Sequence, residues 1–156
     1  MTEQPPAELL RRLRPIPTYR DHPATSASDI EGVDPHGTPR AIAIGGSTEP
    51  VLLLFLSAAC LGCRDLWQGM AEMRHSLPEG VHVVVVTHGP EQEDAEAIAA
   101  LSAPETDVVM SSQAYVDYRV GGPPFLVVVV GQEVRTEGVA WGIAETVRTV
   151  GRALDS

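Results

Sequence analysis

Apolar residues form two kinds of pattern along this chain, short continuous runs and runs with helical spacing. Continuous apolar runs are typical of strands buried on both faces of a sheet, and they cover 51–57, 81–87 and 126–130. Helical spacing at 64–77 and 141–154 predicts amphipathic helices, and an acidic, alanine-rich segment at 91–101 predicts another. Because strands and helices alternate, the pattern predicts an α/β fold.

Weaker patterns complete this prediction. Short strands are expected at 40–44, 107–110 and 133–137. We expect the last of these at an edge of the sheet, because its polar and apolar residues alternate. A serine at position 111 or 112 can cap a short helix that runs to about Tyr118.

The N-terminal part has a different composition. A short helix is predicted at Ala7–Leu13, and Pro15 and Pro17 would end it. Residues 19–38 are rich in Pro, Ser, Asp, His and Gly, which predicts irregular structure. We therefore divide the chain into an N-terminal arm at 1–30 and a single domain at 31–156.

The chain has only two cysteines, Cys60 and Cys63, and they lie between the strand at 51–57 and the helix that starts at Arg64. The first turn of a helix has unpaired N–H groups and a partial positive charge, which stabilise a thiolate and lower its pKa. The spacing places Cys60 at or near the N-cap and Cys63 one turn inside. We therefore expect Cys60 to be the exposed nucleophile and Cys63 the buried resolving thiol.

A C-x-x-C pair can also be half of a zinc site, or two inert core cysteines. Zinc in proteins usually has four Cys or His ligands. This chain has no further cysteine, and its five histidines show no paired spacing. We therefore predict redox chemistry and no metal.

Length and charge narrow the classes of function. A chain of 156 residues suits one domain with a core, and a net charge of -10 argues against nucleic acid as a partner. No apolar stretch is long enough to span a membrane, and residues 1–8 contain no apolar signal-peptide core. We therefore expect a cytoplasmic protein, in which a lone C-x-x-C is more often catalytic or redox-sensing than structural.

A second motif follows the predicted helix that ends near Tyr118. Residues 118–125 read Tyr-Arg-Val-Gly-Gly-Pro-Pro-Phe and lead into the strand at 126–130. Together with the C-x-x-C at a strand–helix junction, this stretch resembles the cis-proline loop of the thioredoxin fold, with Pro124 at the proline position. The resemblance implies a single thioredoxin-like domain whose mixed sheet has helices on both faces.

Two other features resemble the TlpA- and ResA-type thiol–disulfide oxidoreductases, which are related to the peroxiredoxins. One is the additional helix and strand between Val81 and Met110, and the other is a hairpin around Gly32 to Gly37. The resemblance covers roughly residues 30–154. It implies disulfide or thiol substrates on proteins or small molecules, and a separate reductase or low-molecular-weight thiol as the partner. It implies no organic cofactor and no metal.

The resemblance also assigns substrate contacts. Pro124 would shape the groove beside the sulfurs, and Phe125 would line it. In the family, the residue before the cis-proline pairs its backbone with a substrate peptide, as an added strand would. That residue is Pro123 here, which has no N–H. We therefore expect weaker or less peptide-like substrate binding than in thioredoxin.

Three positions depart from the family pattern. Ala59 stands where tryptophan is frequent, Leu54 where thioredoxins have a buried carboxylate, and Leu66 where ResA-like proteins have a glutamate. Such an acid normally takes the proton of the resolving thiol. The sequence therefore predicts no acid beside Cys63, and slower attack by Cys63 unless water or a distal group serves instead.

Two alternative functions stay open at this point. A peroxiredoxin-like thiol peroxidase would use Cys60 alone, and Ser57 matches the hydroxyl position of that family's motif. Its proline position is occupied by Leu53, however, and the second cysteine fits dithiol exchange better. The missing tryptophan, the missing carboxylate and Pro123 also fit a binding or assembly module that keeps the fold but has little redox activity.

Overall fold

The structure is a computed structural model that describes residues 19–21, 26–45 and 48–155. In this part of the chain the strands are β1 (Tyr19–Asp21), β2 (Ile30–Val33), β3 (Pro39–Ile42), β4 (Val51–Phe55), β5 (His82–Thr87), β6 (Asp107–Met110), β7 (Phe125–Val130) and β8 (Glu133–Val139). The α-helices are α1 (Arg64–Gln68), α2 (Met70–Ser76), α3 (Ala95–Leu101), α4 (Ser112–Asp117) and α5 (Ile143–Asp155), and a 3-10 helix (Leu61–Cys63) precedes α1. The helix predicted at Ala7–Leu13 lies outside the described residues.

The strands form one mixed sheet in the order β1-β8-β7-β4-β5-β6-β2-β3. Strands β4, β5 and β6 are parallel to one another, whereas β7 runs antiparallel to β4 and to β8. Because β4 and β5 are parallel neighbours, the segments that follow them leave the sheet at the same edge. The C-x-x-C and the loop after β5 therefore both lie at the carboxyl ends of the parallel strands.

Strand β4 lies between β5 and β7, and each of its five residues is buried. Leu52 and Leu54 face a core formed with α1, α2, α3 and α5. Val51, Leu53 and Phe55 face a second core, to which α4 contributes. A strand buried on both faces reads as a continuous apolar run, so the run at 51–57 was predictable as a central strand. The predicted mixed sheet with helices on both faces is confirmed.

The helix predicted at 64–77 is divided into two short helices, α1 and α2, and the 3-10 helix precedes them. The 3-10 helix carries the motif, and α1 and α2 follow it with a break at Gly69. A Cβ atom on Gly69 would lie 1.9 Å from Ile143 Cδ1, so a residue with a side chain does not fit there without displacing Ile143. The break therefore lies where the motif helices and α5 are in close contact.

Two predictions about strands are wrong. Residues 19–38 are not irregular throughout, because they contain β1 and β2. Strand β8 is not at the edge of the sheet, because β1 pairs with it antiparallel from Tyr19 to Asp21. A strand of three residues is too short to show an alternating pattern, which is why the sequence did not reveal it.

The helix after β5 starts later than predicted. Asp94 is its N-cap, since its carboxylate accepts hydrogen bonds from the N–H groups of Glu96 and Ala97. Residues 88–94 are therefore a loop rather than the first turn of α3. No helix within the described residues is both long enough and apolar enough to cross a membrane.

Candidate active site

The two cysteines lie at the carboxyl end of the central strand. Cys60 is the N-cap of the 3-10 helix, with extended backbone angles (φ -85°, ψ 117°), and it is half-buried. Cys63 ends that helix, caps α1 and has no exposed surface. Both thiols are reduced. One sulfur is thus reachable from solvent while the other lies in the core, as the spacing predicted.

The protonation of Cys63 is set by its surroundings. Burial raises the pKa of its thiol to about 12, and a hydrogen bond with Cys60 adds to the increase. The Ser57 backbone hydrogen-bonds to Cys63 and lowers the pKa, whereas the charges of Cys60 and Glu93 raise it. Cys63 is therefore a thiol at neutral pH, and it has to lose a proton before it can act as a nucleophile.

The proline loop packs directly against the motif. A Cβ atom on Gly62 would lie 3.5 Å from Pro124 Cδ and 3.9 Å from Cys60 Sγ, which places the Pro124 ring beside the cysteines. The Pro123–Pro124 peptide bond is cis. The Ala140 N–H donates to the Pro124 carbonyl oxygen at 3.2 Å, which joins the segment after β8 to the same loop. The structure thus brings together Cys60, Cys63 and Pro124.

The neighbours of Pro124 are placed differently from each other. Pro123 is half-buried in the loop. Phe125 begins β7, and its ring packs edge-on against the core residue Phe55 with the centroids 6.4 Å apart. Much of the Phe125 ring therefore faces the core rather than a groove. Its assignment to substrate binding stays a prediction, as does that of Pro123.

A carboxylate that the sequence analysis did not assign to the site lies beside the motif. The Ser57 hydroxyl donates a hydrogen bond to one carboxylate oxygen of Glu93, and the Ala58 N–H donates to the other at 3.4 Å. Glu93 belongs to the loop after β5, which leaves the sheet next to the loop after β4. The expectation that no acid lies near Cys63 is therefore wrong, although Leu54 and Leu66 are indeed buried apolar residues.

A second set of hydrogen bonds holds the loop that carries Glu93. The Gly89 N–H donates to Ser112 Oγ at 2.8 Å, and Ser112 donates to the Glu91 carboxylate. This hydrogen bond lowers the pKa of Glu91. The contacts connect the loop to the first residue of α4, so the position of Glu93 is fixed from two sides.

Structural comparison places this arrangement among known proteins. The thioredoxin domain of a thiol–disulfide oxidoreductase from Bacteroides vulgatus superposes with a TM-score of 0.65 at 19% identity, covering 82% of this chain and 94% of that one. A secreted disulfide oxidoreductase from Mycobacterium tuberculosis, homologous to DsbE of E. coli, gives 0.63 at 14% identity, covering 81% and 96%. StoA from Bacillus subtilis gives 0.62 at 14% identity, covering 83% and 99%.

The chain has the thioredoxin fold. No family model matches the sequence, and no curated protein matches it. At these identities the similarity establishes the architecture, and it confirms the thioredoxin-like fold that the two motifs indicated. The chemistry has to be argued from the site itself.

Two further side chains line the buried side of this thioredoxin-fold site. The Tyr115 hydroxyl donates to the Leu56 carbonyl oxygen at 3.3 Å, and burial raises its pKa, with smaller contributions from the charges of Cys63, Glu93 and Cys60. The His88 ring stacks on Tyr115 with centroids 3.7 Å apart. Its Nδ1 is buried and has no hydrogen-bond partner. His88 is thus packed against a side chain of the site.

The two tryptophans of the chain differ in burial. Trp67 is buried, and its indole N–H donates to the Ser57 carbonyl oxygen at 3.1 Å. Trp141 is instead 66% exposed, directly after Ala140. Among the residues that the structure describes, no cluster of three or more His, Cys, Asp or Glu side chains could hold a metal ion.

Proposed function

We propose that the protein is a thiol–disulfide oxidoreductase that acts through Cys60 and Cys63. The observation that carries the proposal is the pairing of a half-exposed thiol with a fully buried one within hydrogen-bonding reach, beneath the ring of Pro124. The names of the structurally similar proteins, which are thiol–disulfide and disulfide oxidoreductases, support the same chemistry.

The reaction has two exchange steps. The Cys60 thiolate attacks one sulfur of a substrate disulfide, and the other substrate sulfur leaves as a thiolate. Cys63 then loses its proton and attacks Cys60 Sγ, so the second substrate sulfur leaves and a Cys60–Cys63 disulfide remains. The substrate gains two electrons and the protein loses two. A separate reductase or a low-molecular-weight thiol restores the dithiol.

Burial gives the two cysteines different roles in this scheme. A substrate disulfide can reach Cys60, because this residue keeps exposed surface at the N-cap. Cys63 is shielded from solvent, so it reacts with Cys60 Sγ after that sulfur has formed a mixed disulfide with the substrate. Pro124 packs against the motif beside Cys60, and in this scheme it borders the place where the substrate binds.

The proposal is tested by redox titration of the purified protein in buffers of defined thiol–disulfide ratio, with alkylation and intact mass as the readout. We expect a reversible two-electron transition in the wild type, and none in Cys60→Ser or Cys63→Ser. If the two cysteines never pair under oxidising conditions, dithiol exchange is wrong. Over-oxidation of Cys60 would then indicate peroxidase chemistry, and inert cysteines would indicate a binding module.

A further inference from the structure

Ser57 connects Cys63 to a carboxylate that comes from a different crossover of the sheet. Its backbone hydrogen-bonds to Cys63, while its hydroxyl donates to Glu93. The same hydroxyl oxygen lies 3.3 Å from the Ala59 N–H, which donates to it. With this N–H as a donor, the hydroxyl proton points to the carboxylate. Cys63 and Glu93 are therefore both hydrogen-bonded to the same residue, Ser57.

Resolution of a mixed disulfide requires that the Cys63 thiol lose its proton in a place that solvent does not reach. Cys63 has no exposed surface. Creating a thiolate there beside the charged carboxylate of Glu93 would add a second negative charge to a partly desolvated site, which is costly. Moving the proton from Cys63 to Glu93 keeps the number of charges at one.

We propose that Glu93, held in place by the Ser57 hydroxyl, takes up the proton that Cys63 loses when it attacks the mixed disulfide. This inference rests on the proposed function, since it concerns the second exchange step. The Ser57 hydroxyl donates to the Glu93 carboxylate, and the charge of this carboxylate already acts on the Cys63 thiol.

All atoms and electrons of the step are accounted for. The Cys63 sulfur attacks Cys60 Sγ, the Cys60–substrate S–S bond breaks, and the substrate sulfur leaves with the electron pair as a thiolate. The proton ends on Glu93. The Ser57 hydroxyl and the loop contacts of Gly89 and Glu91 with Ser112 hold Glu93 in position.

Other titratable groups also lie near this position. Tyr115, from α4, has a raised pKa because it is buried, and it donates its proton to the Leu56 carbonyl oxygen. The His88 ring stacks on Tyr115, and its Nδ1 makes no hydrogen bond. Cys60 is itself bonded to the substrate at this stage. Glu93 is the acceptor that Ser57 contacts directly.

The experiment uses reduced full-length protein and the chromogenic disulfide 5,5′-dithiobis(2-nitrobenzoate) in a stopped-flow spectrometer. Attack by Cys60 releases a first thionitrobenzoate at a rate that depends on reagent concentration. Attack by Cys63 on the mixed disulfide releases a second thionitrobenzoate, at a rate that is independent of reagent concentration. The two steps of the reaction are therefore measured separately in one trace, at several pH values.

We expect Glu93→Gln to slow the second release on the order of 10- to 100-fold at pH 7, the range of general base catalysis, with the first release nearly unchanged. The second rate in Glu93→Gln should rise with pH toward the wild-type rate, because hydroxide replaces the missing base. Ser57→Ala should give the same pattern. Glu96→Gln is the matched control, since it removes one exposed carboxylate from the first turn of α3.

The unchanged first release shows that a variant is folded, so a folding defect is not mistaken for a lost base. An equal second rate and an equal pH profile in Glu93→Gln and wild type would overturn the role of Glu93. The role of Glu93 would also be overturned if Glu96→Gln slowed the second release as much as Glu93→Gln does. If the wild type gives no concentration-independent second release, the proposed dithiol exchange itself fails, and this outcome is distinct from the other two.

Discussion

The Trp67 indole N–H donates a hydrogen bond to the Ser57 carbonyl oxygen at 3.1 Å. This bond ties α1 to the residue that also contacts Glu93 and Cys63. The buried Trp67 side chain therefore supports the motif from the core side. The bond fixes Ser57 relative to α1, the helix whose N-cap is Cys63.

Replacement of Trp67 tests this support. Trp67→Phe leaves the Ser57 carbonyl without this donor and leaves a gap in the core, so we expect a loss of about 1–3 kcal/mol in the free energy of unfolding. Urea denaturation of the reduced protein, followed by circular dichroism, measures the change. Trp141→Phe is the matched control, because Trp141 is 66% exposed, and it should change stability by no more than about 0.5 kcal/mol. Equal losses in the two variants would contradict the supporting role of Trp67.

Two glycines differ in how much room surrounds them. A Cβ atom on Gly32 would lie 2.2 Å from the Met110 carbonyl oxygen, whereas one on Gly62 would meet Pro124 at 3.5 Å, an ordinary contact. We expect Gly32→Ala to lower the free energy of unfolding by about 1–3 kcal/mol through overpacking. Gly62→Ala should be neutral or should raise it by up to about 1 kcal/mol, since alanine has the higher helix propensity.

The same denaturation assay compares the two alanine variants. A large loss in Gly62→Ala would mean that Pro124 packs more tightly on the motif than the distances indicate. A neutral Gly32→Ala would mean that β2 and β6 can separate without cost at their single paired position, Val33 and Met110.

The fold was largely predictable because the central strands are continuous apolar runs. Strands β4, β5 and β7 are buried on both faces, and such runs have few other interpretations. β1 was missed because three residues carry no periodic signal. The breaks around Gly69 were missed because they depend on Ile143, which lies more than seventy positions away in the sequence.

The site was predicted in part. Local spacing identified Cys60, Cys63 and Pro124 as candidates, since a C-x-x-C at a strand–helix junction and a Gly-x-Pro before a strand can be recognised within short segments. Glu93 was missed because its contact with Ser57 spans 36 positions. A signal did exist: an acidic stretch follows β5, and loops that follow adjacent parallel strands meet at one edge of the sheet.

Stability should fall at alkaline pH because Cys63 is buried as a thiol. Burial raises its pKa from an ordinary value of 9.0, so the folded protein keeps a proton that the unfolded chain releases. Unfolding then releases a proton, and rising pH favours the unfolded state with a slope of up to about 1.4 kcal/mol per pH unit. The contribution of Cys63 is fully present below pH 9 and is lost progressively above it.

Urea denaturation of the reduced protein between pH 7 and pH 10 measures this slope, and Cys63→Ala is the comparison. The variant should show a weaker fall in the free energy of unfolding above pH 9. Tyr115 and Tyr118, whose pKa values burial also raises, contribute at higher pH in both proteins. Parallel curves for the two proteins would show that Cys63 does not carry the effect.

Pro123 should limit the use of extended peptide substrates. It is half-buried next to Pro124 and has no N–H to donate to a peptide backbone. Pro123→Thr supplies that donor. If substrates bind along this loop, we expect the variant to react about two- to tenfold faster with a linear peptide whose cysteine is in a mixed disulfide with thionitrobenzoate, the gain of one net hydrogen bond.

The control is a substrate that has the same leaving group and no peptide backbone. The rate constant for 5,5′-dithiobis(2-nitrobenzoate) should be the same in Pro123→Thr and wild type, because no backbone hydrogen bond can form. A gain with both substrates would indicate a change at Cys60 rather than at the peptide-binding position. No gain with the peptide would mean that substrates do not pair with this loop, and the substrate class would then be small or compact disulfides.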